Sequence, residues 1–123
     1  MKFQPDRAEG VNLVTRHEPG RVWVLGKPFG GPLIVPWQGE PADWDVEVPD
    51  KPGREAFERL MALKPEVVVY GSGARIVFPA HEWLRALYAA RIGVETMDTG
   101  AACRTYNVLA SEGRAVVAAL LPG

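Results

Sequence analysis

Residues 66–71 read "EVVVYG", an apolar run that follows one glutamate and ends in glycine. Because no polar residue alternates with the apolar ones, the run is typical of a strand that is buried on both faces. Such strands occur in parallel sheets whose two faces are covered by helices. The stretch therefore predicts a central strand of an α/β sheet.

The chain after this strand alternates between helical and extended patterns. A helix is predicted in "AHEWLRALYAARIG" (80–93), a short strand in "GVETM" (93–97), a second helix in "AACRTYNVLASEG" (101–113) and a last strand in "AVVAALLP" (115–122). This order predicts a βαβαβ arrangement with mostly parallel strands. Because the last connection, "EGRA" at 112–115, is short, the final strand also fits an antiparallel position at an edge.

The first half of the chain is rich in turns, since nine of the 11 prolines lie at or before residue 65. "VNLVTRHEPGRVWVLG" (11–26) alternates on both sides of "EPGR" and predicts a hairpin. "GPLIVPW" (31–37) and "WDVEV" (44–48) add two strands, so the pattern predicts a small antiparallel layer of four strands. A helix is predicted near 54–63, where apolar residues recur at helical spacing.

Composition and length indicate one globular domain over residues 1–123, with strands and turns in 1–50 and a helix followed by βαβαβ in 51–123. Hydrophobic residues make up 47% of the chain and charged residues 24%, as in ordinary folded proteins. The formal net charge of −1 lacks the basic excess of nucleic-acid binders. We therefore expect no nucleic-acid partner.

The single cysteine cannot form an intramolecular disulfide, and the histidines and acidic residues show no metal-ligand spacing. The N-terminal "MKFQPDRAEG" (1–10) lacks the apolar core of a secretory signal. The longest apolar run, "AVVAALL" at 115–121, is too short to cross a bilayer. We expect a cytoplasmic protein with no integral membrane segment, no metal and no cofactor.

The glycine pair in "YGSGARIVF" (70–78) has two interpretations. Glycines after a buried strand can bring backbone N–H groups close to a phosphate. A dinucleotide-binding turn, however, needs a third glycine where this chain has Ile76, and Pro79 still precedes the helix. The pattern favours a tight strand exit that uses the conformational freedom of glycine.

The stretch "MDTGAACRTYNVL" at 97–109 contains the only cysteine. Asp98 or Thr99 is expected to cap the following helix, which places Cys103 in its first turn. There the helix dipole and Arg104 would lower the thiol pKa, as in a reactive thiolate or an anion site. Catalysis also needs a base, and none is supplied by the spacing. We therefore interpret Cys103 as buried and structural.

The neighbouring polar residues are also interpreted as structural. His17 precedes the "EPG" turn and is expected to be exposed, and His81 begins a helix. For Arg104 we favour an internal ion pair with Asp98 or Glu95 over a role in binding a ligand. Tyr106 and Asn107 share a helix face with Cys103, which fits a core face whose polar tips find backbone partners.

The four tryptophans are divided by their patterns. Trp23 belongs to an alternating strand and Trp83 to a helical stripe, so both are assigned to the core. Trp37 and Trp44 flank "QGEPAD" and are expected to be the surface pair.

"VVVYGSGARIVFP" (67–79) and "IGVETMDTGAACRTYNVLASEGRAVVAALLP" (92–122) carry a family resemblance. The chain resembles a small family of uncharacterised bacterial and archaeal proteins that also includes the mitochondrial complex I (NADH dehydrogenase) assembly factor three. The resemblance covers most of the chain and is most specific in "MDTGAACRTYN" (97–107). It implies a three-layer α/β fold around a mixed, mainly parallel sheet with an antiparallel strand inside it. It also implies a protein without an established enzymatic activity.

Two functional hypotheses follow. The first is a non-enzymatic protein-interaction or assembly-factor-like module whose partner is another protein, a homodimer being compatible with an exposed apolar face. The second is a small-ligand or anion-binding protein, or an enzyme, that uses the strand-exit loops at 71–73 and 98–104. The candidate ligand-binding residues are Ser72, Gly73, Asp98, Thr99, Cys103 and Arg104.

Overall fold

The computed structural model describes residues 10–46 and 48–123. The expectation that no secretory signal is present falls on the N-terminal segment, whose residues 1–9 lie outside this range. Eight strands are described: β1 (Val14–Glu18), β2 (Arg21–Val24), β3 (Lys27–Phe29), β4 (Leu33–Pro36), β5 (Ala42–Asp43), β6 (Val67–Gly71), β7 (Gly93–Met97) and β8 (Val116–Leu120).

Three α-helices accompany these strands: α1 (Gly53–Arg59), α2 (Arg85–Ala89) and α3 (Thr99–Ser111). Two 3₁₀ turns, at Leu60–Leu63 and His81–Trp83, extend the first helical segment and precede the second. The helices expected near 54–63, 80–93 and 101–113 are therefore confirmed. None of the helices in residues 10–46 and 48–123 is long and apolar enough to cross a bilayer.

The main sheet has five strands in the order β5-β4-β8-β6-β7. β8 lies at its centre, parallel to β6 and antiparallel to β4, while β7 runs parallel to β6 at the edge. The βαβαβ prediction is confirmed, and the alternative of an antiparallel edge position for the last strand is wrong. The 13 residues of α3 rise about 20 Å, so this helix itself brings the chain back to the start of β8 and a short final turn is sufficient.

The prediction of which strands form the N-terminal antiparallel layer is wrong. β1, β2 and β3 form an antiparallel sheet of their own, whereas β4 joins the main sheet beside β8. Leu33 and Val35 are fully buried and Ile34 is half-buried, so both faces of β4 are covered, as a central strand requires. The strand expected over 44–48 is also wrong: Glu47 lies outside the described residues, and β5 ends before Trp44.

The main sheet separates two apolar clusters, so the molecule has three layers. On one face, α3 and the inner side of the small sheet pack against the strands through Val22, Val24, Ala102, Cys103 and Tyr106. On the other face, α1, α2 and the segments beside them pack through Trp44, Phe57, Leu60, Leu84 and Leu87. The mixed, mostly parallel sheet flanked by helices, with additional N-terminal antiparallel strands, is confirmed.

Candidate functional site

The loops at 71–73 and 98–104, which the sequence singled out, lie at the same end of the main sheet, where the parallel strands β6 and β7 stop. β6 and β7 end in register, with Gly71 opposite Met97. The backbone N–H of Ser72 donates to the carbonyl oxygen of Met97 over 2.9 Å. Since the strands are parallel, the residues after β6 and those that begin α3 are brought together, as expected.

Thr99 connects the exits of three segments. Its side chain is completely buried, its Oγ1 donates to the carbonyl of Leu121 over 2.6 Å, and it accepts from the N–H of Gly73 over 2.9 Å. The N–H of Thr99 donates in turn to the carbonyl of Gly73 over 2.9 Å. The polar groups of Thr99 are therefore used within the chain, between the ends of β6 and β8 and the start of α3.

The space between these exits is filled by the residues after β8. A Cβ added to Gly123 would lie 2.5 Å from the carbonyl carbon of Gly73, and one added to Gly71 would lie 3.0 Å from Thr99 Oγ1. The carbonyl of Gly123 accepts from the N–H of Gly20 over 2.9 Å, which holds the segment in place. Any ligand between the two loops would have to displace this segment.

Ser72 closes a tight loop after β6. Its Oγ donates to the carbonyl of Arg75 over 2.6 Å and accepts from the N–H of Val77 over 2.9 Å. The following φ of +102° at Gly73 confirms that the strand exit needs glycine. The loop that results is ordered by its own hydrogen bonds.

This loop presents three consecutive apolar side chains to solvent. Ile76, Val77 and Phe78 are 54%, 57% and 75% exposed. The sequence reasoning missed this feature, although an apolar triplet between a glycine turn and Pro79 fits neither the helical nor the strand period. Exposed apolar clusters on folded proteins mark interaction surfaces. We call residues 76–78 the apolar loop.

Asp98 caps α3, with its Oδ1 accepting from the N–H of Ala101 over 2.9 Å, so one of the two predicted caps is confirmed. Because α3 begins at Thr99, Cys103 lies beyond the first turn, where the dipole has weakened. The side chain is 4% exposed, which confirms the expected burial. Burial raises the pKa of Cys103 to about 11, Arg104 opposes this rise and Asp98 adds to it. The thiol is thus protonated near neutral pH.

Arg104 does not pair with Asp98 or Glu95, so the expected internal ion pair is wrong. The buried stripe of α3 includes Ala102, Cys103 and Tyr106. Arg104 is exposed, and the Asp98 carboxylate is engaged in the helix cap.

Tyr106 and Asn107 find backbone partners, as expected. The Tyr106 hydroxyl donates to the carbonyl of Asn12 over 2.8 Å, and burial raises the Tyr106 pKa. Asn107 Oδ1 accepts from the N–H of Val14, and its Nδ2 donates to the Val14 carbonyl, both over 2.8 Å. These two residues fasten the start of β1 to α3.

His17 is half-buried, so the expectation of an exposed side chain is wrong. In the β1–β2 register it lies opposite the buried Val22, and a Cβ added to Gly100 would approach its ring to 3.4 Å. The packing of the small sheet against α3 brings it there. The expectation for Trp44 is also wrong: this residue is 2% exposed and its Nε1 donates to the carbonyl of Ala56.

Most of the chain, residues 14–121, matches a family described as "Protein of unknown function (DUF498/DUF598)". The chain belongs to this family. The motif over 97–107 that carried the resemblance lies within the match. Four of its polar residues cap α3, connect the strand exits and fasten β1: Asp98, Thr99, Tyr106 and Asn107.

Named members of the family are similar over most of the chain. A Bos taurus protein named NADH dehydrogenase [ubiquinone] 1 alpha subcomplex assembly factor 3 is 40% identical over 101 residues, covering 80% of this chain and 54% of the relative. The chain thus spans about half the length of that relative. The 13 kDa major membrane protein of Francisella tularensis is 31% identical over 118 residues, covering 94% of this chain and 95% of the relative.

A solved structure has the same fold. The crystal structure of a Bordetella parapertussis protein is 38% identical in sequence, has a TM-score of 0.87, and covers 95% of this chain and 100% of its own. The expected resemblance to the family that includes the assembly factor is therefore confirmed, and so is the α/β fold that it implied.

Proposed function

We propose that the protein is a non-enzymatic interaction module, similar in role to an assembly factor, that binds another protein through the apolar loop. The observation that carries this proposal is the exposure of Ile76, Val77 and Phe78 on a loop that Ser72 holds in one conformation. A preordered apolar loop loses little conformational entropy on binding. Such a loop is a suitable anchor for a partner surface.

The strand-exit loops support the same proposal. The hydrogen-bonding groups of Thr99 are used internally, and Gly123 lies against Gly73 where a ligand would enter. Cys103 is buried with a pKa of about 11, which does not suit a nucleophile at neutral pH. These features favour an interaction role over the alternative of a small-ligand, anion or enzymatic site at 71–73 and 98–104.

The name of the bovine relative supports an assembly role at the level of the family. For this chain we propose a protein partner in the cytoplasm, in keeping with its composition and single cysteine. The partner is expected to present an apolar surface that covers the apolar loop.

A photocrosslinking amino acid placed at Phe78 tests the proposal in native cells. We expect one reproducible protein adduct from position 78 and none from the matched control position Val108, an apolar residue that is 57% exposed on α3. With the purified partner, Phe78→Ser should weaken binding at least tenfold while Val108→Ser leaves it unchanged. A partner whose affinity is indifferent to Phe78→Ser, or turnover of a metabolite by the isolated protein, would contradict the proposal.

A further inference from the structure

A cleft of about 390 Å³ lies between the start of α1 and the 3₁₀ turn at 81–83, beyond the apolar loop along the chain. Trp83 forms its aromatic wall. The Trp83 ring stacks against the fully buried Phe57, with centroids 6.4 Å apart and an interplanar angle of 24°. Since this contact covers only part of the half-buried ring, Trp83 presents a fixed aromatic surface to the cleft.

The polar lining of the cleft is fixed in part by its own arginines. Arg59 Nη1 donates to the backbone carbonyl of Asp45 over 2.8 Å, and its guanidinium nitrogens lie 3.9 Å from the carboxylates of Asp45 and Glu55. Arg54 lies 3.7 Å from Glu58, one turn along α1. Each guanidinium is therefore already beside a carboxylate.

Glu82 leaves the cleft with an excess of negative charge. It lies on the rim beside Trp83 and is exposed, and it forms no ion pair with any residue in 10–46 or 48–123. Together with Asp45 and Glu55 it makes three carboxylates in the lining beside the two guanidiniums of Arg54 and Arg59. An aromatic wall next to uncompensated negative charge is complementary to a cation and repels an anion.

We propose that this cleft binds the side chain of an arginine presented by the protein partner. The guanidinium lies on the free surface of Trp83 and donates to the Glu82 carboxylate. Arginine fits better than lysine because its planar group both stacks on an indole and forms paired hydrogen bonds with a carboxylate. The inference rests on the proposed function and adds the chemistry of the partner: a basic residue close to the apolar surface that covers residues 76–78.

The cleft can be tested without the partner by titrating the ¹⁵N-labelled protein with the peptide acetyl-Gly-Arg-Gly-amide. The readout is the indole N–H resonance of Trp83, which is assigned by its loss in Trp83→Phe. We expect a saturable shift in the millimolar range that weakens as salt is added, because the ionic contact is exposed. The citrulline peptide, which is nearly isosteric and uncharged, should shift the resonance at least fivefold less at equal concentration, and the lysine peptide should bind more weakly than the arginine peptide.

Glu82→Gln should weaken binding of the arginine peptide at least threefold, whereas the matched control Glu112→Gln, beyond α3 on the other face of the sheet, should not change it. Equal shifts from the arginine and citrulline peptides, no shift at the solubility limit, or indifference to Glu82→Gln would overturn the inference. Those results would leave the proposed function intact if crosslinking at position 78 still captured the partner. Loss of the adduct with a persistent Trp83 shift would instead remove the proposed function and leave a bare cation-binding cleft.

Discussion

Thr99 shows how one hydroxyl can hold the exits of several strands together. It is the only group that hydrogen-bonds both Gly73 and Leu121 in the described part of the chain, and it does so without solvent access. The sequence predicted that Asp98 or Thr99 would cap α3, since both residue types are familiar caps, and Asp98 is the residue that does so. Its contact with Leu121 could not be predicted, because it depends on the position of β8 beside β6.

Thr99→Val keeps the shape of the side chain and removes its hydrogen bonds, so it should lower the free energy of unfolding by about 1–3 kcal/mol. The N–H of Gly73 and the carbonyl of Leu121 would remain buried without this partner. Thr99→Ser keeps the hydroxyl and loses only a methyl group, so its cost should be smaller, about 1 kcal/mol. Chemical denaturation of both variants measures the difference, and a valine variant at least as stable as the serine variant would show that the hydroxyl does not stabilise the fold.

The helix α3 organises its face of the sheet. Its first residues meet the exits of β6 and β8, its middle carries Cys103 and Tyr106 into the core, and Asn107 holds β1. The beginning and the inward face of α3 were predictable because capping and helical periodicity are local signals. Its contact with His17 was not, because the small sheet arrives from a distant part of the sequence.

The cap of α3 should be measurable by itself. Asp98→Ala removes the acceptor for the N–H of Ala101 and should cost about 1 kcal/mol of stability, whereas Asp98→Asn keeps an acceptor and should cost less. Both variants remove the negative charge that raises the pKa of Cys103, so the thiol pKa should fall in both. Equal stability of the two variants would contradict the capping role, since the charge is lost in both cases.

The strand order depends on contacts between residues that are far apart in the sequence, and no local pattern contains these contacts. The buried run at 66–71 and the helices after it identified the parallel unit correctly. The sequence did not show that β4 pairs with β8 instead of with β1–β3. It also did not show that Trp44 is buried against α1. Both contacts join residues that are far apart in the sequence. Arg104 was misjudged for a related reason: a charge beside a buried residue was assumed to need an internal partner, but it projects to solvent.

The rate at which thiol reagents label Cys103 measures how often the three-layer structure unfolds enough to expose this side chain. Near neutral pH, thiol reagents should label native protein slowly and denatured protein fast, because the native side chain is 4% exposed and protonated. Since the native pKa is about 11 and the ordinary value is 9.0, the native state binds more protons between these values. The free energy of unfolding should therefore fall as pH rises from about 9 to about 11.

Cys103→Ala provides the control for this pH dependence. The pKa of Tyr70 is raised to about 12, mainly by burial, so its titration lowers stability in the same direction at high pH. The difference in slope between the native chain and the alanine variant isolates the thiol. Identical slopes, or rapid stoichiometric labelling of native protein at pH 7, would contradict a buried, protonated Cys103.

The central position of β8 also has a consequence for synthesis. β4 and β6 are neighbours only through β8, and β8 follows every other strand in chain order. Because a ribosome makes the chain from its N-terminus, β4–β5 and β6–β7 leave the ribosome before β8, the strand that joins them. Until residues 116–120 have left the exit tunnel, the backbone groups of β4 and β6 that pair with β8 lack these hydrogen-bond partners. We therefore expect the nascent chain to be open to wrong strand pairing until its last strand is released.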